Sequence, residues 1–166
     1  MSEVWQVKDF FGEVIHQYTR AEAIADGVLV ELDTKMASEA GWKIPVACTI
    51  KVWEEVINWD NNSEEAFQDI EGRLWDVLLM AGMGVRKSGA EPVTHFKMMS
   101  IPRHENATES KEITLKAVIE GGGNGEPVVT IMGTDENYNK NGTENGEENG
   151  WNKKPRFAGS QGQNQI

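Results

Sequence analysis

Apolar residues recur at helical spacing in the first half of the chain, and each short run begins at a residue that can cap a helix. Thr19 opens the first predicted helix, and Glu22 follows three residues later as its capping-box partner. Thr34 and Thr49 can each cap the first turn of a further short helix. The pattern therefore predicts three short helices before residue 60.

The longest helical pattern covers residues 63–87, and Ser63 can cap its first turn. Three glycines interrupt the pattern, each costing roughly 1 kcal/mol against alanine in a helix interior. We therefore expect close packing or a bend at Gly72, Gly82 and Gly84. The predicted buried face consists of Ile70, Leu74, Val77, Leu78 and Val85.

The second half of the chain favours strands, because apolar and polar residues alternate there. Strands are predicted at residues 94–101, 113–119 and 127–132, and an earlier apolar strand at residues 28–32. Glycines at 121–123 and 125 favour a chain reversal, so the last two strands form a hairpin. The sequence predicts an α+β fold in which helices pack on a small antiparallel sheet with a C-terminal β-hairpin.

The composition of the chain changes at residue 134. Residues 1–133 hold most of the apolar positions and are long enough for a single α+β domain. Residues 134–166 are rich in Asn, Gly and Glu and cannot bury enough surface to offset the cost of ordering, so a disordered tail is expected. The basic and aromatic run Trp151–Phe157 is a candidate docking peptide, although a solubilising tail is the simpler interpretation.

The net charge of the chain is −11, and residues 1–133 carry 22 Asp and Glu against 12 Lys and Arg, a balance of −10. Binding to nucleic acid without sequence preference needs a basic surface, so the acidic domain argues against it. The charge is compatible with a basic protein partner or with imitation of nucleic acid. Solubility alone is the simplest explanation of the charge.

Several classes of protein and site are disfavoured by the sequence. No apolar run is long enough to span a bilayer, and the N-terminus lacks the pattern of a secretory signal, so we expect a cytoplasmic protein with no membrane association. Cys48 is the only cysteine and has apolar neighbours, which favours a buried thiol over a nucleophile. The three histidines lack metal-ligand spacing. The glycine turn lacks the Gly-Lys-Ser/Thr ending of a phosphate-binding loop. We expect no cofactor, no metal and no enzymatic activity.

Three segments carry a resemblance to a known family. They read YTRAEAIADGVLV from Tyr18, GRLWDVL from Gly72, and LKAVIEGGGNGEPVVTIM from Leu115. Together they resemble a family of small proteins encoded on plasmids and phages and known mainly as a domain of unknown function. The resemblance implies the setting of a mobile genetic element without implying a reaction, and it ends near Met132.

The sharpest polar cluster lies around Arg73 and Asp76, which share one face of the predicted helix. A salt bridge between them, or an arginine buried against the sheet, is the simplest interpretation. The alternative is a ligand site in which two arginines contact an anionic group and tryptophans offer a stacking surface. The candidate ligand-binding residues are Arg20, Arg73, Trp75, Trp42 and Trp53.

Two functions follow from these observations. The first is a non-enzymatic binding protein of a phage or other mobile element that counters host defence by sequestering a nucleotide-derived immune signal. The second is an acidic inhibitor, either a nucleic-acid mimic or a protein-protein blocker, that binds a host or defence protein. A pocket shared by Arg20, Arg73 and the tryptophans would favour the first, and a continuous acidic face without a pocket the second. Assembly into a homo-oligomer is compatible with both.

Overall fold

A computed structural model describes residues 18–60, 66–103 and 107–137 of the chain. Within these residues the protein has the predicted α+β fold, with helices packed against a five-stranded sheet. The helices are α1 (Arg20–Ala25), α2 (Thr34–Glu39), α3 (Ile50–Val52), which continues into a π-helical turn (Trp53–Ile57), and α4 (Ile70–Ser88). The strands are β1 (Leu29–Glu31), β2 (Val46–Thr49), β3 (Val93–Ser100), β4 (Lys111–Gly121) and β5 (Pro127–Gly133).

The strands lie in the order β1-β2-β5-β4-β3. The predicted hairpin is confirmed, since β4 and β5 pair antiparallel and the turn is closed by a hydrogen bond from Gly125 N to Gly122 O of 3.1 Å. Gly125 has φ +85°, a conformation that glycine adopts without strain.

Strand β2 was not predicted, and it changes the topology of the sheet. It pairs antiparallel with β1 and parallel with β5, so the sheet is mixed rather than wholly antiparallel. All four of its residues are buried. A strand buried on both faces lacks the alternation of polar and apolar residues by which strands are recognised in sequence. Helices α1 and α4 lie on opposite sides of the sheet, as two separate groups of buried residues indicate.

The helix caps agree with most of the sequence predictions. The Thr19 hydroxyl accepts from Glu22 N at 3.1 Å, and the Glu22 carboxylate accepts from Thr19 N at 3.0 Å, which completes the predicted capping box. Thr49 caps α3 as predicted, accepting from Val52 N at 3.3 Å. The prediction for Thr34 is wrong by one residue, because the carboxylate of Asp33 caps α2.

The long helix begins later than predicted. Asp69 caps α4 by accepting from Gly72 N at 2.7 Å, and residues 66–69 are not helical. The predicted cap, Ser63, lies outside the described residues. Four of the five predicted core positions of this helix are buried, but Ile70 is 38% exposed because it stands in the first turn.

The predicted close packing of the helix is found at Gly84, where a Cβ would lie 2.9 Å from the Cβ of Phe96 on β3. The described part of the domain continues past β5 to residue 137. Glu136 is buried there, and its Oε2 accepts from Gly133 N at 2.6 Å and from the Thr49 hydroxyl at 3.0 Å. These bonds hold the segment after β5 against the end of β2.

Candidate functional site

Arg20 lies on the side of the sheet that α1 covers. Its guanidinium donates to the Thr130 hydroxyl at 2.6 Å and to the Val129 carbonyl at 2.9 Å, and it lies 3.6 Å from the Glu120 carboxylate. Arg20 is buried, and all three contacts are with the hairpin strands β4 and β5. The local arrangement therefore gives Arg20 the role of joining α1 to the sheet.

Arg73 lies in the first turns of α4 and is buried, with only 4% of its surface exposed. Its guanidinium carbon lies 4.5 Å from the ring centre of Trp59, close enough for a cation–π contact. Its terminal nitrogens donate to Gln68 Oε1 at 3.0 Å and, weakly, to the Ser100 hydroxyl at 3.5 Å. Its Nε has no acceptor in the described part of the chain.

The sequence analysis allowed two simple interpretations of Arg73, which were burial against the sheet and a salt bridge with Asp76. The arginine is buried against the sheet, as one of them held. Among residues 18–60, 66–103 and 107–137, no carboxylate lies within 4.0 Å of its guanidinium, so the predicted salt bridge with Asp76 is not formed. Burial lowers the pKa of Arg73, the Asp76 carboxylate partly offsets this effect, and the nearby Arg103 lowers that pKa further. Arg73 remains charged, because an arginine does not lose its proton in proteins.

The two candidate arginines are not in one pocket. Side chains alternate between the faces of a strand. On β5, the side chains of Val129 and Ile131 belong to the main core with α4. The side chain of Thr130, between them, therefore lies on the other face of the sheet, where it binds Arg20. Ser100, which binds Arg73, has the same parity as the core residues of β3. The sheet therefore separates Arg20 from Arg73, and the expected shared pocket is absent from the described residues.

The three candidate tryptophans are half-buried and pack against the main core. Trp42 donates from Nε1 to the Leu78 carbonyl at 2.9 Å and so joins the segment after α2 to α4. Trp53 begins the π-helical turn, and its carbonyl accepts from Asn58 N at 2.6 Å. Trp75 stands two positions after Arg73 on α4, a spacing at which side chains do not face each other. The ring that stacks on Arg73 belongs to Trp59 instead.

A second arginine, Arg103, lies beside Arg73. It donates to both carboxylate oxygens of Asp60, at 2.9 and 2.8 Å, and to the carboxylate and carbonyl of Glu54, at 2.7 and 2.9 Å. Hydrogen bonds from Arg103 lower the pKa of Asp60, and the two carboxylates raise the pKa of Arg103 above its ordinary range. Arg103 ties the turn after the π-helix to the end of β3, and its charge is matched by its partners.

We call the group formed by Trp59, Gln68, Arg73, Ser100 and Arg103 the Arg73 corner. A cavity of about 410 Å³ lies beside it, and Ser100 and Arg103 are the corner residues that line it, together with Ile113, Glu54 and Glu55, whereas Arg73 and Trp59 do not line it. The π-helical turn supplies part of this wall, and such turns occur often at functional sites. Beside Gln68, Phe67 is 86% exposed and has φ +46°, a conformation that costs energy in a non-glycine residue.

Sequence reasoning identified Arg73 but missed Trp59 and Arg103. Trp59 stands in the polar stretch that ends the third predicted helix, and Arg103 in a segment interpreted as a loop. The signal that could have found both residues is a large aromatic side chain or a cation within a short polar loop. Their contact with Arg73 joins chain segments that are far apart in sequence, which periodicity does not reveal.

The described residues offer little for covalent chemistry. Cys48 is fully buried, and its pKa is raised by burial and by the Glu136 carboxylate, so the thiol stays protonated. No group of three or more His, Cys, Asp or Glu side chains within residues 18–60, 66–103 and 107–137 is arranged to hold a metal ion. None of the helices in those ranges is long and apolar enough to cross a bilayer.

Comparison with known proteins places the chain in a family. A family described as "Family of unknown function (DUF6573)" matches residues 7–137. The match covers most of the chain and includes every residue of the Arg73 corner. No curated protein and no solved structure matches the chain.

Proposed function

The chain belongs to this family of unknown function, and we propose that it is a non-enzymatic binding protein. The proposed ligand carries a negative charge and a flat ring, and it binds at the Arg73 corner. The observation that carries the proposal is the state of Arg73. It is a buried cation with an unpaired Nε–H, and no carboxylate within the described residues pairs with it. A buried donor without a partner costs free energy, and an anionic ligand at the corner would remove that cost.

The ring requirement rests on the aromatic surroundings of Arg73. Trp59 already stacks on one side of the guanidinium. A planar base can stack on a tryptophan or on a guanidinium, while its anionic group accepts from arginine N–H groups. Nucleotide-derived molecules combine these two features in one ligand.

The charge around the corner limits the class of nucleotide. Glu54 and Asp60 match the charge of Arg103, and Glu55 lines the same cavity. An anion bound at the corner would therefore meet an acidic background, in which each additional negative charge is repelled. We propose a ligand with one negative charge at the contact, such as a phosphodiester, in preference to a polyphosphate.

The wider role that we propose is counter-defence. On the resemblance described above, we propose that the chain is encoded on a plasmid, phage or other mobile element, which a binding protein that holds a nucleotide-derived immune signal without altering it would protect. A host cell cytoplasm is the location that this role requires. This part of the proposal rests on the resemblance and on the ligand chemistry at Arg73.

The binding proposal is tested by tryptophan fluorescence titration with two nucleotides. Cyclic AMP carries one negative charge and a flat base, and ATP carries the same base with a polyphosphate. We expect cyclic AMP to change the fluorescence at lower concentration than ATP, and Arg73→Met to abolish the change. Lys43→Met removes one exposed positive charge elsewhere and is the matched control. Tighter binding of ATP, or equal binding to Arg73→Met, would contradict the proposed site.

The acidic charge supports a second proposal, an inhibitor that covers a basic surface of a host or defence protein. Residues 1–133 carry a balance of −10, and Glu31 and Glu39 are among the exposed acidic side chains. Capture of a basic protein that is released by about 0.5 M salt would favour this function, because exposed charges are screened within about 5 Å at that ionic strength. Retention of the same partner by Arg73→Met would separate it from ligand binding at the corner.

A further inference from the structure

Strand β3 has a free edge. It is the last strand of the sheet and pairs only with β4 among the described strands. The opposite edge strand, β1, has three residues, whereas β3 has eight. Short edge strands limit unwanted pairing, and a long free edge offers a template for another strand.

The hydrogen-bond pattern shows which residues of β3 face outward. Ile119 N donates to the Pro92 carbonyl at 2.8 Å, so this pair is hydrogen-bonded. Hydrogen-bonded and non-hydrogen-bonded pairs alternate along an antiparallel ladder. Residues 94, 96, 98 and 100 therefore bond to β4. The free edge presents the backbone N–H and C=O groups of Val93, His95, Lys97 and Met99.

An apolar groove runs beside this edge. Its volume is about 910 Å³, and α4 supplies Met80 and Met83 to its wall. Met83, Val93 and Met99 are 50%, 48% and 56% exposed, and they are three of the five large apolar side chains that are exposed in the described residues. Val93 and Met99 stand on the exposed face of β3 and do not line the groove, so Met83 is the exposed apolar side chain within it. Exposed apolar surface beside an unpaired strand promotes association.

The charge beside the edge is opposite to that of the protein as a whole. Lys87 and Lys97 supply positive charge to the groove, and none of the residues that line it is acidic. Arg86 also lines the groove, but its guanidinium lies near Gly41. Lys97 also contacts Glu112 at 3.3 Å, but both side chains are more than half exposed, so that pair is weak. The net charge of the whole protein is −11, so the local positive charge of the groove favours an acidic partner at this surface.

We propose that the free edge of β3 binds an extended acidic segment of a partner protein as an additional strand. The backbone of the segment pairs with the outward groups of β3. Apolar side chains on one face of the added strand enter the groove beside Met83, and acidic side chains on the other face lie near His95 and Lys97. The groove shares no lining residue with the cavity at the Arg73 corner, although Ser100 of the corner follows Met99 on β3.

A second copy of this chain fits the edge less well. The registers that overlap two antiparallel β3 strands most fully set Lys97 opposite either His95 or Lys97 of the other copy. Lysines directly opposite each other are destabilising, and a lysine opposite a histidine gains nothing from charge. An acidic strand replaces this contact with attraction.

The test is fluorescence anisotropy with two labelled eight-residue peptides, one alternating Val and Glu and the other alternating Val and Lys. We expect the acidic peptide to bind about tenfold more tightly, because cross-strand charge pairs change from repulsive to attractive. Equal binding of the two peptides, or binding of neither, would overturn the proposal.

The variants separate the backbone contribution from the charge contribution. Lys97→Pro removes an outward N–H without removing a bond to β4, and we expect at least about tenfold weaker binding. Lys97→Gln keeps that N–H and removes the charge, and we expect about threefold weaker binding. Circular dichroism checks that each variant folds, and Met83→Glu, on α4, replaces Lys97→Pro if it does not. Unchanged peptide binding by Lys97→Pro, or by Met83→Glu in its place, would overturn the proposal. A dimer detected by sedimentation would also overturn the proposal, if the same variant abolishes the dimer and the acidic peptide does not bind.

Discussion

Replacing each of the two buried arginines by methionine separates a structural role from a binding role. Arg20 joins α1 to the hairpin strands through Thr130, the Val129 carbonyl and Glu120. Arg73 is buried to a similar extent but lacks a carboxylate partner within the described residues. Methionine keeps much of the apolar stem of arginine, so the comparison isolates the guanidinium.

The expected effects on the free energy of unfolding differ in size. Arg20→Met removes the donor to the buried Val129 carbonyl and the ion-pair partner of Glu120, which within the described residues keeps only the bond from the Thr130 hydroxyl at 3.1 Å. Breaking such a buried pair costs about 3 kcal/mol or more. Arg73→Met loses the bond to Gln68 and the contact with Trp59, but it also removes a buried charge that has no carboxylate within 4.0 Å among the described residues. Replacing an imperfectly compensated buried ion by an apolar side chain is often neutral, so we expect a change within about 1 kcal/mol of zero.

The assay is urea unfolding of the two variants and the wild-type protein at one pH. Circular dichroism is the primary signal, because Arg73→Met also changes the surroundings of Trp59. Equal m-values are required, since they indicate that the unfolded states are comparable. A loss for Arg73→Met as large as that for Arg20→Met would refute the reasoning, because Arg73 would then be a structural residue and its burial would need no ligand.

Three further predictions concern the core and the buried ionisable groups. Gly84→Ala brings a Cβ to 2.9 Å from that of Phe96, so we expect a loss of about 1 to 3 kcal/mol in thermal unfolding, whereas Gly72→Ala, whose nearest atoms are at 3.5 Å or more, gains up to about 1 kcal/mol. A loss of similar size in both variants would contradict this packing. Burial raises the pKa of Glu136, and the hydrogen bonds from Gly133 and Thr49 only partly oppose this rise. The contribution of Glu136 to stability is therefore present at low pH and decreases as pH rises through the raised pKa. Glu136→Gln should match the wild-type stability near about pH 4 and exceed it near about pH 7, and a constant difference across this range would contradict the assignment. Cys48 should react with an aromatic disulfide reagent about 100-fold more slowly in the native protein than in denaturant, and rapid native labelling would show that the thiol is accessible.

The features of the fold that the sequence predicted well are local. The Thr19 capping box and the glycine turn between β4 and β5 each depend on residues within a few positions of one another, and both are confirmed. Strand β2 and its parallel pairing with β5 depend on residues about 80 positions apart, and its four buried residues show no alternation. The start of α4 was misplaced because Ser63 and Asp69 are both good caps and the hydrophobic periodicity does not distinguish between them.

The candidate site shows the same division. Arg73 was identifiable because it is a cation beside a tryptophan within a helical pattern. Its stacking partner Trp59 and its neighbour Arg103 come from other segments, so only the tertiary structure brings them together. The separation of Arg20 from Arg73 depends on which face of β5 Thr130 occupies, and this parity was not evident without the position of α1.

The central claim is that the Arg73 corner holds an anionic ligand with a ring and returns it unchanged. Native mass spectrometry of the purified protein, after exposure to a lysate of bacteria with an activated defence, tests it most directly. We predict an added mass of nucleotide size in the wild-type protein and in Lys43→Met, its absence in Arg73→Met, and the same mass for the molecule after denaturation releases it. A bare protein mass in all three samples, or equal retention by Arg73→Met, would contradict the claim.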